Sequence, residues 1–262
     1  MGLWKRFFRK SENVPAHDTS ALCHEQAAPE QPFVQQTPYA AEIDGFMDRE
    51  FPGRAVTVWH ELVSDGFHLD VCVMSPTPKE PYYVLYTNGM SALPMTLENV
   101  PHVGRYQHLR RAELMMYLPA EWPVEELRRE NAEEIPESAY WPIRALKYLA
   151  RMPHRYHTWL GAGHSVPNGE PMRPFEGSRG FAGIVLYFPD EGNGPKKVLP
   201  VPTGDGGQVM LYLAVPVYAG EMEYKLQKGA DALEERLRSL PGGIGFIVTE
   251  GRPDTSKSQE GC

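Results

Sequence analysis

Phe67-His-Leu-Asp-Val-Cys-Val-Met74 decides the fold class. Phe67, Leu69, Val71 and Val73 fall on one side of an extended chain, with His68, Asp70, Cys72 and Met74 on the other. That alternation marks a β-strand. Upstream, Ala55-Val-Thr-Val-Trp-His60 alternates in the same way, and Asp65-Gly66 between the two runs predicts a hairpin turn. Downstream, Tyr82 to Thr87 reads as a third strand that Asn88-Gly89 stops. Arg111 to Leu118 reads as a fourth, with Leu114, Met116 and Leu118 on one side.

Helical patterns follow. Pro123 to about Glu133 and Pro142 to Arg151 each open on a proline suited to a first turn. The second carries Ile143, Leu146, Leu149 and Ala150 on one stripe. Strand character returns at Phe181–Phe188 and Gln208–Val215. Glu221 to Leu240 is the longest helical pattern, with Gly229 interrupting it. Ile244 to Thr249 predicts a last short strand. Strands and helices without regular alternation indicate α+β, or an irregular three-layer α/β domain.

The 262 residues suffice for one large domain or two small ones. Ser11 to Pro38 is aperiodic and rich in Pro, Gln, Ala and Glu, so residues 1–38 read as a flexible arm. The folded domain is expected over 39–250, with a disordered tail over 251–262. The polar, glycine-rich stretch Pro195 to Gly207 reads as a surface loop. Met1 to Lys10 carries four basic residues among Leu3, Trp4, Phe7 and Phe8. That pattern suits a weak membrane-surface contact as well as a solvated basic tip. No run of 18 apolar residues exists, so no integral span is expected.

A formal charge of −8 argues against nonspecific nucleic-acid binding and suits a basic protein partner. Cysteines at 23, 72 and 262 are too dispersed for a disulfide framework or a zinc cluster, which points to a cytoplasmic setting. Cys72, within a strand pattern, is expected to be a buried, inert thiol.

The chemistry-bearing residues concentrate in Met152-Pro-His-Arg-Tyr-His-Thr-Trp-Leu-Gly-Ala-Gly-His-Ser-Val-Pro-Asn168. His154, His157 and His164 are candidate metal ligands if the loop folds back, with Asp70, Glu113 or His60 completing the shell. The competing reading puts His157 and Trp159 on a short strand and has His164 bonding within the Gly161-Ala-Gly-His turn. A histidine-dependent or metal-dependent hydrolase is the catalytic alternative. Neither Ser91 nor Ser165 sits in a nucleophile elbow, however, and neither glycine cluster forms a phosphate loop. No cofactor is expected. Trp122, Tyr140, Trp141, Tyr148, Tyr156 and Trp159 form an aromatic cluster that would anchor a protein partner wherever it lines an open groove.

Three segments carry a family resemblance: Tyr82-Tyr-Val-Leu-Tyr-Thr-Asn-Gly-Met-Ser91, Arg111-Ala-Glu-Leu-Met-Met-Tyr-Leu-Pro119, and Trp141-Pro through His164-Ser-Val-Pro-Asn168. Together they resemble the bacterial branch of the Suppressor-of-fused-like domain. The Glu221–Leu240 helix resembles the element that closes such domains. The resemblance implies a single mixed α/β domain with a central, largely antiparallel sheet flanked by helices. It implies a noncatalytic protein-interaction role, and in bacterial relatives an immunity protein that binds a toxin. It also implies partner-binding or structural polar roles for Asn88, Arg111, Glu113, Trp141, His157, Trp159 and His164.

Overall fold

The computed structural model describes residues 37–60, 66–97, 103–128, 134–189 and 200–257. The basic N-terminal stretch, Cys23, Cys262 and Asp65 lie outside them.

One sheet organises the molecule. Strands β1 (Val56–Trp59), β2 (Asp70–Met74), β3 (Tyr82–Asn88) and β4 (Ala112–Pro119) form an antiparallel meander. The second half contains β5 (Ser165–Pro167), β6 (Phe181–Tyr187), the two-residue β7 (Val201–Pro202) and β8 (Gln208–Tyr218). The spatial order is β1-β2-β3-β4-β8-β6-β5, with β7 pairing β8. Among the described strands, only the β4–β8 pairing is parallel. The architecture is α+β, with a largely antiparallel sheet flanked by helices.

Alternation along the strands builds two cores. On one face Leu69, Val71, Val73, Leu85, Leu114, Met116, Ile184, Leu186 and Tyr212 pack against α2 (Glu137–Arg155) through Trp141, Leu146 and Leu149. On the other face Cys72, Met74, Val84, Tyr86, Met115, Leu211, Leu213 and Val215 meet three helices. These are α1 (Ala40–Glu50), α3 (Ala219–Lys228) and α4 (Ala230–Arg238). Double-sided burial is why the central strands read as nearly continuous apolar runs. Burial also pushes the Cys72 thiol up to about 12, so it stays protonated at neutral pH.

Several expected elements differ. Helix α1, with Ile43, Phe46 and Met47 buried, precedes the first strand where no helix was expected. Of the Pro123–Glu133 helix, the described part is a short 3₁₀ turn at Val124–Arg128. Helix α2 starts five residues before Pro142 and holds Pro142 and Pro153 inside it. Gly229, at φ 98°, divides the long C-terminal pattern into α3 and α4. Ile244–Thr249 does not form a strand; a single bridge joins Ile247 to Tyr117.

The expected disordered tail is also corrected over its described part. Arg252 is buried and forms a two-pronged ion pair with buried Glu221 of α3, at 2.6 and 2.7 Å. Thr255 donates its backbone N–H and its hydroxyl to the same carboxylate at 2.9 and 2.8 Å. A buried carboxylate needs such partners, so Arg252 and Thr255 are held onto α3.

Candidate functional site

The polar residues around the β3–β4 connection form one lattice. Glu113 of β4 is fully buried. Its carboxylate accepts from the Thr87 hydroxyl (2.6 Å), the Ser91 hydroxyl (2.7 Å) and the backbone N–H groups of Gly89, Met90 and Ser91 (3.1, 3.3 and 2.9 Å). Burial raises its pKa, and the bonds from Ser91 and Thr87 oppose that rise. Arg111 does not pair with Glu113. Its guanidinium donates to the carbonyls of Ser91 and Ala92, gripping the same turn from the other side, and stacks 5.0 Å over the Tyr39 ring. Asn88 donates to Asp44 of α1 at 2.9 Å, and the Tyr86 hydroxyl donates to the same oxygen at 2.9 Å. These three motif residues therefore tie a turn and a helix to the sheet. Gly89 is required at that turn. Its φ is 132°, and a β-carbon there would stand 2.3 Å from the His68 carbonyl oxygen.

The three candidate histidines are not brought together. His154 lies near the end of α2, edge-on to Phe67 at 5.1 Å. Burial lowers its pKa to about 4, opposed by a hydrogen bond with the Met90 backbone, so its ring is neutral at pH 7. His157 is exposed in the turn after α2, at φ 44°. His164 is buried against Trp159, ring centroids 4.3 Å apart. His157 and Trp159 precede β5 and belong to no strand, which corrects the short-strand reading. Asp70 joins none of them. The metal set Asp70, His154, His157 and His164 therefore has no common site.

A cleft of about 510 Å³ opens between α2 and the 166–176 segment. Trp141, Leu149, Val166, Phe175 and Ile184 give it an apolar lining. Trp141 is almost fully buried and stacks on Phe175, centroids 5.6 Å apart and planes 9° off parallel. Tyr148, Arg144, Arg173, Glu170 and Glu176 add polar groups. Asn168 fixes the 166–176 segment by donating to the Arg173 carbonyl at 2.7 Å. Of the expected aromatic cluster, Trp141 and Tyr148 reach this cleft, while Trp122 packs edge-on behind Trp141. No sequence signal marks Arg144 or Phe175, and Arg173 reads there as part of a solvated basic set with Lys196, Lys197 and Arg179. Their relevance depends on a loop path that no local pattern encodes.

The neighbouring strand β5 ends the sheet, yet all three of its residues are buried. The exposed edge is β1 at the opposite end, where Val56 and Val58 are 42% and 39% exposed. Among the described residues no helix is long and apolar enough to cross a membrane.

A sequence profile for the Suppressor of fused protein (SUFU) matches residues 66–252. No curated protein matches the chain. Solved structures share the fold at low identity. A suppressor of fused homolog from Neisseria gonorrhoeae aligns at 15% identity and TM-score 0.51, over 83% of this chain and 96% of that one. A chain of the Sufu–Fu complex aligns at 15% and 0.58, over 84% and 93%. Drosophila Suppressor of Fused aligns at 17% and 0.54, and 50% of its length is covered.

Proposed function

Because the chain belongs to the Suppressor of fused protein family, we propose that it is a noncatalytic protein-binding domain whose partner docks in the cleft between α2 and the 166–176 segment. Members of this family are noncatalytic protein-interaction modules, and one solved relative is a component of a complex with Fu. The observation that carries the reading is the aromatic-floored cleft with charged groups at its rim. Such a cleft takes an apolar or aromatic anchor from the partner, while the rim sets its orientation.

The local charge at this surface runs against the expectation of a basic partner. Arg144, Lys147, Arg151 and Arg155 line a second depression along the outer face of α2, next to the cleft. A partner that seats an apolar anchor beside this row carries acidic residues flanking that anchor. The finer reading is a cytoplasmic immunity protein that binds a neighbour-encoded toxin through this surface. Asn88, Arg111 and Glu113 line no part of the cleft, and we assign them to support of the β3–β4 turn and α1 rather than to partner contact.

The test is affinity capture from the native host, followed by a binding measurement on the purified pair. Tyr148→Ala and Arg173→Glu should each weaken binding about tenfold or more while leaving the melting temperature unchanged. A stoichiometric partner indifferent to both variants would move the interface elsewhere. Turnover of a small substrate that disappears in His164→Ala would overturn the noncatalytic reading.

A further inference from the structure

We infer that His60, His68 and Asp70 form a binding site for a first-row divalent metal ion, of which Zn²⁺ is the best match. The β1–β2 register pairs Trp59 with Val71, so the next residues outward, His60 and Asp70, face each other across the two strands. His68 lies two residues before Asp70 and therefore on the same side of its strand. The side chains converge accordingly. His60 Nδ1 is 3.2 Å from each carboxylate oxygen of Asp70, and His68 Nε2 is 3.1 Å from Oδ1. One ligand atom from each residue lies within 4.8 Å of the other two.

These separations suit a shared ion. Metal–ligand bonds of about 2.0–2.1 Å at a tetrahedral centre put neighbouring ligand atoms roughly 3.3 Å apart. Two imidazoles and one carboxylate are a donor set that favours zinc over calcium or magnesium, which prefer oxygen. Exposure matches an ion-accessible position: the His60 side chain is 67% exposed, while those of His68 and Asp70 are 30% and 17% exposed. Three protein ligands leave a fourth position open to water or to a donor from another molecule. The site lies at the end of β1, the strand with the exposed edge, so a bound ion would tether that strand to β2.

The experiment uses the full chain stripped with chelator and titrated with Co²⁺ alone. One equivalent should produce the visible d–d absorption of a tetrahedral centre, and Zn²⁺ should displace it. His60→Gln, His68→Gln and Asp70→Asn should each weaken binding by roughly 100-fold or more. Excess Zn²⁺ should raise the melting temperature of the parent chain and not that of the variants. A folded parent chain that binds no Co²⁺ would overturn the inference. So would undiminished binding in the His60→Gln/His68→Gln double variant, which would assign the ion to histidines elsewhere, such as His17 or His24.

Discussion

A single carboxylate sets the geometry of the β3–β4 turn. Glu113 receives five hydrogen bonds from four residues in the interior. Glu113→Gln keeps the size but presents amide hydrogens to groups that are themselves donors. We expect a loss of about 2–4 kcal/mol in urea unfolding, with Thr87, Ser91 and the turn amides left under-satisfied. His154 gives a pH signature. Its folded pKa of about 4 lies below the ordinary value of 6.5, so the unfolded chain binds a proton more readily. Its contribution is fully present above pH 6.5 and is lost as pH falls towards 4. His154→Leu should flatten the decline in stability across that window, by an amount on the order of 2–3 kcal/mol at its acidic end. An unchanged slope would show that the ring is solvated.

Among the elements, the closing segment offers the sharpest test. Arg252→Ala removes both prongs of the ion pair with Glu221 and strands a carboxylate in the interior. Breaking a buried pair from one side costs about 3–5 kcal/mol. A truncation before Arg252 should do at least as much, and chemical denaturation would register either change.

Legibility in the sequence also varied by element. The Phe67–Met74 alternation marked two opposed faces because the pleat has a fixed period. Helix α1 carried a readable signal in Ile43, Phe46 and Met47, at helical spacing. Asp44 and Gly45 diluted it. Pro142 suggested a helix start because a proline is most easily accommodated there, yet packing of Ala139 and Trp141 extends α2 past it. The Arg111–Glu113 lattice contains both residues the motif highlighted, but sequence could not reveal that each binds a turn and not the other. Two residues of the metal-binding candidate, Asp70 and His60, stand out in the sequence, but only as additions to a shell around His154, His157 and His164. That they meet each other and His68 follows from strand register, which proximity within the His154–His164 cluster obscured.

At the scale of the whole molecule, we propose a single folded domain spanning α1 to the Arg252 clasp. The motivation is that both ends of this span are bonded to its body: Tyr39 to Asp205 in the β7–β8 turn at 3.0 Å, and Thr255 to Glu221 of α3. Native-state proteolysis should leave a core beginning between residues 35 and 50 and retaining Arg252. A stable fragment ending near residue 140 would instead divide the chain in two.

The parallel β4–β8 pairing has a kinetic consequence. It joins Ala112–Met115 to Met210–Leu213, residues almost a hundred positions apart, whereas the meander on one side closes through neighbours in the chain. Until that seam forms, β4 and β8 each leave a raw edge, and neither half has its full set of ladder partners. Closing so long a loop places this protein among slow folders, in the millisecond-to-second range. It also makes the chain divisible: two separately produced pieces, cut between the meander and β5, would each present the strand the other lacks, the arrangement on which a split-protein reporter depends.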